Sequence, residues 1–296
     1  LKFEFKVYSE IEFHQIVDGE NVLENFISSN GVLFPSFMSA RFRILALIPT
    51  LNEDPIETVE SMLKQSVEVS KIIVIVGGRE LYEKLMSSSL ERTEYIYVKP
   101  DFRQSLGKRV GAAINTALAK GNFKEYDYIL KVDSEVTLPR DFVEKNLQEA
   151  PDFVGSGGFA MLFKISAFLK VLRGRYPEVM ADDTYLALDF LYKGCTVQRW
   201  RRAPDVAVRE KGHHSYRHHF NAGAEHYRLG YEPVHVLKVL SDILQDGFKG
   251  SLEIDRVLPI LGYFSAALRR IERYEFASWI FRMQVRRLIY GVQFEY

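Results

Sequence analysis

The chain has 296 residues, of which 47% are hydrophobic, and 39 Lys+Arg balance 39 Asp+Glu. That apolar content supports a sizeable core and excludes a disordered protein, and the neutral balance gives no electrostatic footprint for nucleic acid. The single cysteine, Cys195, excludes an intrachain disulfide and a cysteine-based zinc site. It fits a reducing compartment, so a cytoplasmic protein is expected.

The N-terminus reads LKFEFKV, alternating with period two, and predicts a strand, not the apolar core of a signal peptide. ENVLENFISSNG predicts a short helix closed by Asn30-Gly31. Residues 1–40 therefore read as an N-terminal extension. From Arg43 the pattern changes. ILALIPT is a continuous apolar run, as in a strand buried on both faces. LNEDPIETVESMLKQS predicts a helix, with Asp54 as N-cap and Pro55 at the first helical position. KIIVIVGG is a second buried strand, LYEKLMSSSL a helix and TEYIYVKP a third strand. SLGKRVGAAINTALAKG is a helix rich in small residues, closed by Gly121, and YDYILKVDSE is a fourth strand.

Strand and helix in regular alternation predict parallel βαβ units in a doubly wound sheet. FVGSGGFAMLFKISAFLKVL then holds a Gly-rich turn and an apolar segment. ADDTYLALDFLYKG predicts a helix with acids in its first turn and Gly194 as its stop, and CTVQRW a further strand. A catalytic α/β domain over 41–210 and a basic, His-rich and aromatic helical region over 211–296 complete the division. No window offers the roughly 18 uninterrupted apolar residues of a spanning helix.

Ligands of doubly wound sheets bind beyond the carboxyl ends of the strands. Those ends carry Pro49-Thr50-Leu51-Asn52-Glu53, Gly77-Gly78 and Asp133-Ser134-Glu135. On one strand face, Asp133 and Glu135 would converge as two hard oxygen ligands suited to magnesium or manganese. The competing reading is a strand that turns polar where it meets water. Asp182-Asp183 either complements a helix dipole or, if shielded, forms a repelling pair with one pKa raised into the range of a general base. His213, His214, His218 and His219 have helical spacing suited to a metal or a pyrophosphate, or to a solvated face, and His214 is taken as the metal candidate. Lys108-Arg109, near a helix start, suits phosphate. No Walker loop is present, and no G-x-G-x-x-G fingerprint follows the first strand.

In this order, ILALIPTLNEDPIETVESMLKQS, KIIVIVGG, LGKRVGAAINTAL, YDYILKVDSEVTLP and ADDTYLALDFLYKG resemble the family-2 inverting glycosyltransferases. The likeness spans about residues 43–235. It implies a GT-A fold, a nucleotide-binding α/β/α sandwich with a mixed, mostly parallel sheet. It also implies roles. Pro49, Thr50, Asn52 and Glu53 hold the nucleoside, with Gly77, Lys108, Arg109, Asp133 and Ser134 completing the nucleotide-sugar site. Asp133 and Glu135 stand for the D-x-D that binds Mn2+ or Mg2+ at the diphosphate. Asp182-Asp183 stands for an acidic pair whose second member, Asp183, deprotonates the acceptor. Glu135 where Asp is usual, Gly77-Gly78 where a base-contacting Asp is common, and Asp182 in place of Glu depart from the family pattern. Gln198-Arg199-Trp200 is similar to the Q-x-x-R-W of processive members, at the wrong spacing.

The expected activity is transfer of a sugar from a UDP- or GDP-type donor to a glycan or lipid-linked acceptor hydroxyl, with inversion. The alternatives are a nucleotidyltransferase of similar fold and a non-catalytic nucleotide- or glycan-binding protein. A nucleotidyltransferase typically has a Gly-rich loop where PTLNED stands. LGYFSAALRRIERYEFASWIFRMQVRRLIYGV interleaves arginines with apolar residues. It predicts either a peripheral contact with the inner face of a membrane or packing on the catalytic domain or a second subunit.

Overall fold

Each central strand is apolar throughout, so each must be covered on both faces, and alternate residues of one strand serve two cores. The computed structural model describes residues 42–88, 90–155, 159–198, 207–208, 216–233, 236 and 254–290. The strand and helix expected over 1–40, His213, His214, Arg199 and Trp200 lie outside the described residues.

The strands are β1 (Ile44–Thr50), β2 (Lys71–Val76), β3 (Thr93–Tyr97), β4 (Tyr128–Val132), β5 (Val136–Thr137), β6 (Phe153–Gly155), β7 (Ala160–Lys164), β8 (Val197–Gln198) and β9 (Ala207–Val208). The helices are α1 (Ile56–Leu63), α2 (Arg79–Met86), α3 (Leu106–Lys120), α4 (Phe142–Leu147), α5 (Ile165–Leu172), α6 (Asp182–Tyr192), α7 (Tyr216–Leu229), α8 (Ile254–Leu268) and α9 (Ala277–Tyr290). Seven strands form one sheet in the order β3-β2-β1-β4-β7-β6-β8, and β5 pairs with β9 in a small second sheet. β1 to β4 run parallel, β7 runs against β4 and β6, and β6 is parallel to β8. The sheet is mixed and mostly parallel, as expected.

On one face Ile44, Ala46, Ile48, Ile72, Val74 and Val76 pack under α1, α2 and α4 through Val59, Met62, Leu85 and Phe142. On the other, Leu45, Leu47, Ile73 and Ile75 pack under α3, α5 and α6 through Ile114, Phe168 and Phe190. The fold is thus an α/β/α sandwich. Each such fully buried aliphatic side chain stabilises it by about 1.5–3 kcal/mol. Gly194 ends α6 with φ +75°, a left-handed backbone that L side chains rarely adopt. There Cys195 N–H reaches back to the Phe190 carbonyl at 2.9 Å.

Two local expectations shift. Pro55 occupies the N-cap of α1 and Asp54 stands one residue before it. Asp54 still caps, because its Oδ1 accepts from Ile56 N–H at 3.1 Å. Second, β4 stops at Val132, so Asp133-Ser134-Glu135 is a turn, closed by Val136 N–H on the Asp133 carbonyl at 3.1 Å. The turn, and not strand alternation, therefore sets how the two carboxylates lie.

The C-terminal helices pack on the sandwich. Leu188 of α6 shares a core with Leu229, Tyr231, Ile260, Tyr263, Phe276 and Ile280. α7 and α8 meet at glycines: a Cβ on Gly223 would lie 1.7 Å from the Pro259 carbonyl oxygen, and one on Gly262 1.9 Å from that of Phe220. No helix among the described residues is long and apolar enough to cross a membrane.

Candidate active site

The registers align the strand ends. Thr50 lies beside Val76, and Val76 beside Tyr97, while β4 runs parallel alongside β1. The loops after β1, β2 and β4 therefore share one sheet edge. After β1, Glu53 folds back on its own loop. Its Oε2 accepts the N–H groups of Leu51 and Asn52, both at 3.2 Å, and Thr50 Oγ1 donates to the Glu53 carbonyl at 2.7 Å. Burial alone would raise the Glu53 pKa, but these backbone donors together hold it below the ordinary value. Glu53 thus organises the PTLNED loop. Gly77 and Gly78 donate backbone bonds to the Thr50 and Leu51 carbonyls at 2.8 and 2.7 Å. A Cβ on Gly78 would lie 2.5 Å from the Leu51 carbonyl oxygen, a backbone atom, so this close approach of the two loops requires glycine.

The turn after β4 is held from two sides. Asp133 N–H donates to the Phe159 carbonyl at 2.9 Å, and Thr58 Oγ1 of α1 donates to the Ser134 carbonyl at 2.6 Å. Lys131, the next-to-last residue of β4, is only 3% exposed and places Nζ 2.6 Å from Asp133 Oδ1. Burial pulls the ammonium pKa down. The carboxylates of Asp133, Asp182 and Asp183 outweigh it and hold Lys131 above its ordinary value.

Asp182 and Asp183 occupy the first turn of α6, and the segment before them is clamped to α3. A Cβ on Gly107 would lie 1.9 Å from the Val179 carbonyl oxygen, and one on Gly111 2.5 Å from that of Pro177. The Asn115 side chain accepts from Tyr176 N–H at 2.7 Å and donates to its carbonyl at 3.0 Å. Tyr176, 1% exposed, donates its hydroxyl to Asp182 Oδ2. Burial raises the Tyr176 phenol well above its ordinary value, and Asp182 adds to that. Asp183 is pushed up to about 6 by burial and by the like charge of Asp182, against the Thr184 N–H and Lys131, which favour its charged form.

A further group enters from the C-terminal helices. Tyr231 follows Gly230, whose φ of +92° turns the chain as α7 ends. Burial and the Asp183 charge raise the Tyr231 phenol. Its carbonyl accepts the Tyr263 hydroxyl at 2.7 Å. The helical region therefore contributes to the surroundings of the acidic pair.

Pro49, Thr50, Asn52, Glu53, Gly77, Asp133, Ser134 and Glu135 thus lie along the one sheet edge, and electrostatics link Asp133 with Asp182 and Asp183. Lys108 and Arg109 stand in the first turn of α3, Lys108 exposed and Arg109 stacked 5.1 Å from the Phe102 ring centroid. The His218 and His219 rings meet edge to face on α7, with centroids 5.8 Å apart. Among the described residues no three His, Cys, Asp or Glu side chains gather to enclose a metal by themselves. The donor set still fits a hard cation held by one or two carboxylates, with water and phosphate oxygens completing its shell. Lys131, Tyr176, Asn115 and Tyr231 were not expected from the sequence. The apolar surroundings of Lys131 in YILKV were the one signal that could have marked it.

No protein-family model matches the chain, and no curated protein matches it. A solved 4-diphosphocytidyl-2C-methyl-D-erythritol synthase is similar at TM-score 0.40 and 13% identity, covering 54% of this chain and 89% of that one. The protein of that name from Anaerococcus prevotii DSM 20548 is similar at TM-score 0.38 and 11% identity, covering 54% and 86%. Likeness at this level carries nothing for the chemistry of the site.

Proposed function

We propose that the chain is a metal-assisted inverting glycosyltransferase that moves a sugar from a nucleoside-diphosphate donor to an acceptor hydroxyl. The observation that carries this reading is the placement of Asp183. It is a carboxylate with a pKa pushed up to about 6, electrostatically coupled to the turn that carries Asp133. A base with that pKa is deprotonated at neutral pH yet basic enough to take a hydroxyl proton in the transition state.

Each group then has one task. The PTLNED loop, shaped by Glu53 and pressed on Gly77-Gly78, receives the nucleoside. Asp133 and Glu135 would hold Mn2+ or Mg2+, which when bound would offset the negative charge that develops on the diphosphate leaving group. Lys108 and Arg109 supply further positive charge toward phosphate oxygens. Asp183 accepts the acceptor proton, and Tyr176 holds Asp182 beside it. Attack by a single activated hydroxyl on the face opposite the leaving group inverts the anomeric carbon. A glycan or lipid-linked acceptor is proposed.

The direct test is product formation from a panel of UDP-, GDP- and dTDP-sugars with Mn2+, before and after Asp183→Asn. Loss of transfer with retained nucleotide binding is expected. A nucleotidyltransferase keeps the fold and the cation carboxylates but joins a nucleoside triphosphate to a sugar phosphate and releases pyrophosphate. Pyrophosphate release from an added nucleoside triphosphate and sugar phosphate that survives Asp183→Asn, with no sugar transfer from the diphosphate sugars, would replace the glycosyltransferase reading by that one.

A further inference from the structure

The central strand β4 is apolar apart from Lys131, and that lysine is buried. A lone ammonium there is costly to desolvate, so it needs a partner. It has more than one. Asp133 Oδ1 lies 2.6 Å from its Nζ, and Asp182 and Asp183 act on the same charge from the start of α6. The three carboxylates come from two chain segments about 50 residues apart, and they repel one another: Asp133 and Asp182 both disfavour the charged form of Asp183. The ammonium is the opposite charge common to both segments.

We infer that Lys131 is a positioning residue whose ammonium is the standing counter-charge of the Asp133, Asp182 and Asp183 cluster. It holds the turn after β4 and the start of α6 together before any cation or nucleotide binds. It touches no reacting atom and acts through the carboxylates. A divalent cation on Asp133 then joins a cluster already assembled, and shares it with Lys131. This inference deepens the proposed site and rests on the reading of Asp133 as a cation ligand, but not on the identity of the transferred group.

The experiment is thermal unfolding of the full chain, Lys131→Met, Asp183→Asn and the double variant, each with and without Mn2+ as the only added ligand. Lys131→Met is expected to lower Tm by about 10 °C, as for a buried ion pair broken on one side. Adding Asp183→Asn is expected to restore part of that loss, and Mn2+ to raise Tm more in Lys131→Met than in the parent chain. If Lys131→Met alone does not fold, the double variant still does. Strict additivity of the two substitutions, with equal Mn2+ shifts, overturns the inference, as does a double variant that fails to fold. Recovery by Asp183→Asn without any Mn2+ effect upholds Lys131 and removes Asp133 as a cation ligand. Both effects in a chain that transfers no sugar uphold Lys131 and remove the proposed reaction.

Discussion

The hydroxyl of Tyr176 donates to Oδ2 of Asp182, and the backbone of that same tyrosine is clamped by the Asn115 side chain of α3. The first carboxylate of the acidic pair is thereby fixed from a buried ring outside its own helix. Tyr176→Phe keeps the ring and removes the donor. It is expected to cost about 1.5–3 kcal/mol of stability, the usual range for a hydrogen bond to a charged group. It is also expected to lower kcat while leaving nucleotide affinity unchanged. Denaturant unfolding and steady-state kinetics check both, and an unchanged kcat would detach Asp182 from the reaction.

Asp183 carries a pH prediction with a definite sign. A base works only when deprotonated, so turnover should fall as the pH drops through about 6, the raised value that burial and Asp182 impose. The limb belongs to the coupled pair and not to one oxygen. Asp183→Asn should reduce turnover by about 10²–10⁴-fold. Stability runs the other way. The folded pKa lies above the unfolded one, so between about pH 4 and 6 the folded chain binds the extra proton and gains stability as pH falls. At pH 7 that gain is absent and Asp183→Asn should be more stable than the parent chain, with the difference vanishing near pH 4. A pH series of melting curves for both proteins tests this.

Asp133→Asn keeps the backbone bonds of the turn to Phe159 and Val136, which do not use the carboxylate, and replaces the ion pair with Lys131 by a neutral hydrogen-bond acceptor, at some cost in stability. Cation-dependent binding of UDP or GDP should weaken at least tenfold, while binding without cation changes little. Calorimetric titrations with and without Mn2+ separate the two. Equal losses in both would place Asp133 in loop structure instead of cation binding.

Gly107→Ala sets two effects against each other. In a helix interior alanine is favoured over glycine by about 1 kcal/mol, an upper bound for Gly107 in the first turn of α3. Here its Cβ would lie 1.9 Å from the Val179 carbonyl oxygen, a backbone atom that cannot rotate away. Overpacking of this kind costs about 1–3 kcal/mol, so net destabilisation is expected. The same shift moves the segment that carries Tyr176 and Asp182, so kcat should fall further than stability explains. A stabilised, fully active Gly107→Ala would show that α3 and this segment do not constrain the site.

The C-terminal region divides the membrane expectation in two. Just before α9 Phe276, and on its first turn Ala277 and Ile280, are buried against the other helices, and Trp279 packs near Tyr192, so the start of this helix spends its apolar side chains inside the protein. On α8, Leu261, Phe264 and Leu268 form an outward stripe at helical spacing, with Leu268 85% exposed and Arg269 and Arg270 at its end. Glu272 follows close behind. Contact with an anionic bilayer is proposed through this stripe. Flotation with phosphatidylserine vesicles should be lost on Leu268→Glu and reduced on Arg269→Ala with Arg270→Ala. Equal flotation of all three proteins would remove the idea.

The strands β1 to β4 and helices α1 to α3 were legible because continuous apolar runs and amphipathic helical runs alternate at lengths that only βαβ units accommodate. Gly194 was legible as a stop because a left-handed residue favours glycine wherever it occurs. The Asp133-Glu135 geometry was misread. Strand alternation assumes that the strand continues, and the end of β4 at Val132 depends on Phe159 and Thr58, which are distant in sequence.

What the sequence determined by itself is the layering of the sandwich and the sheet edge where chemistry must gather, because hydrophobic period and glycine placement are local properties. It also marked Asp133, Asp182 and Asp183 as the acids to watch. Only the tertiary structure decided that Lys131 pairs with Asp133 within the field of the other two, that Tyr176 holds Asp182, that two helical glycines press α3 onto that segment, and that Tyr231, at the end of α7, feels the Asp183 charge. These depend on charge and close approach between residues far apart along the chain, and such energies exist only once the chain has brought them together.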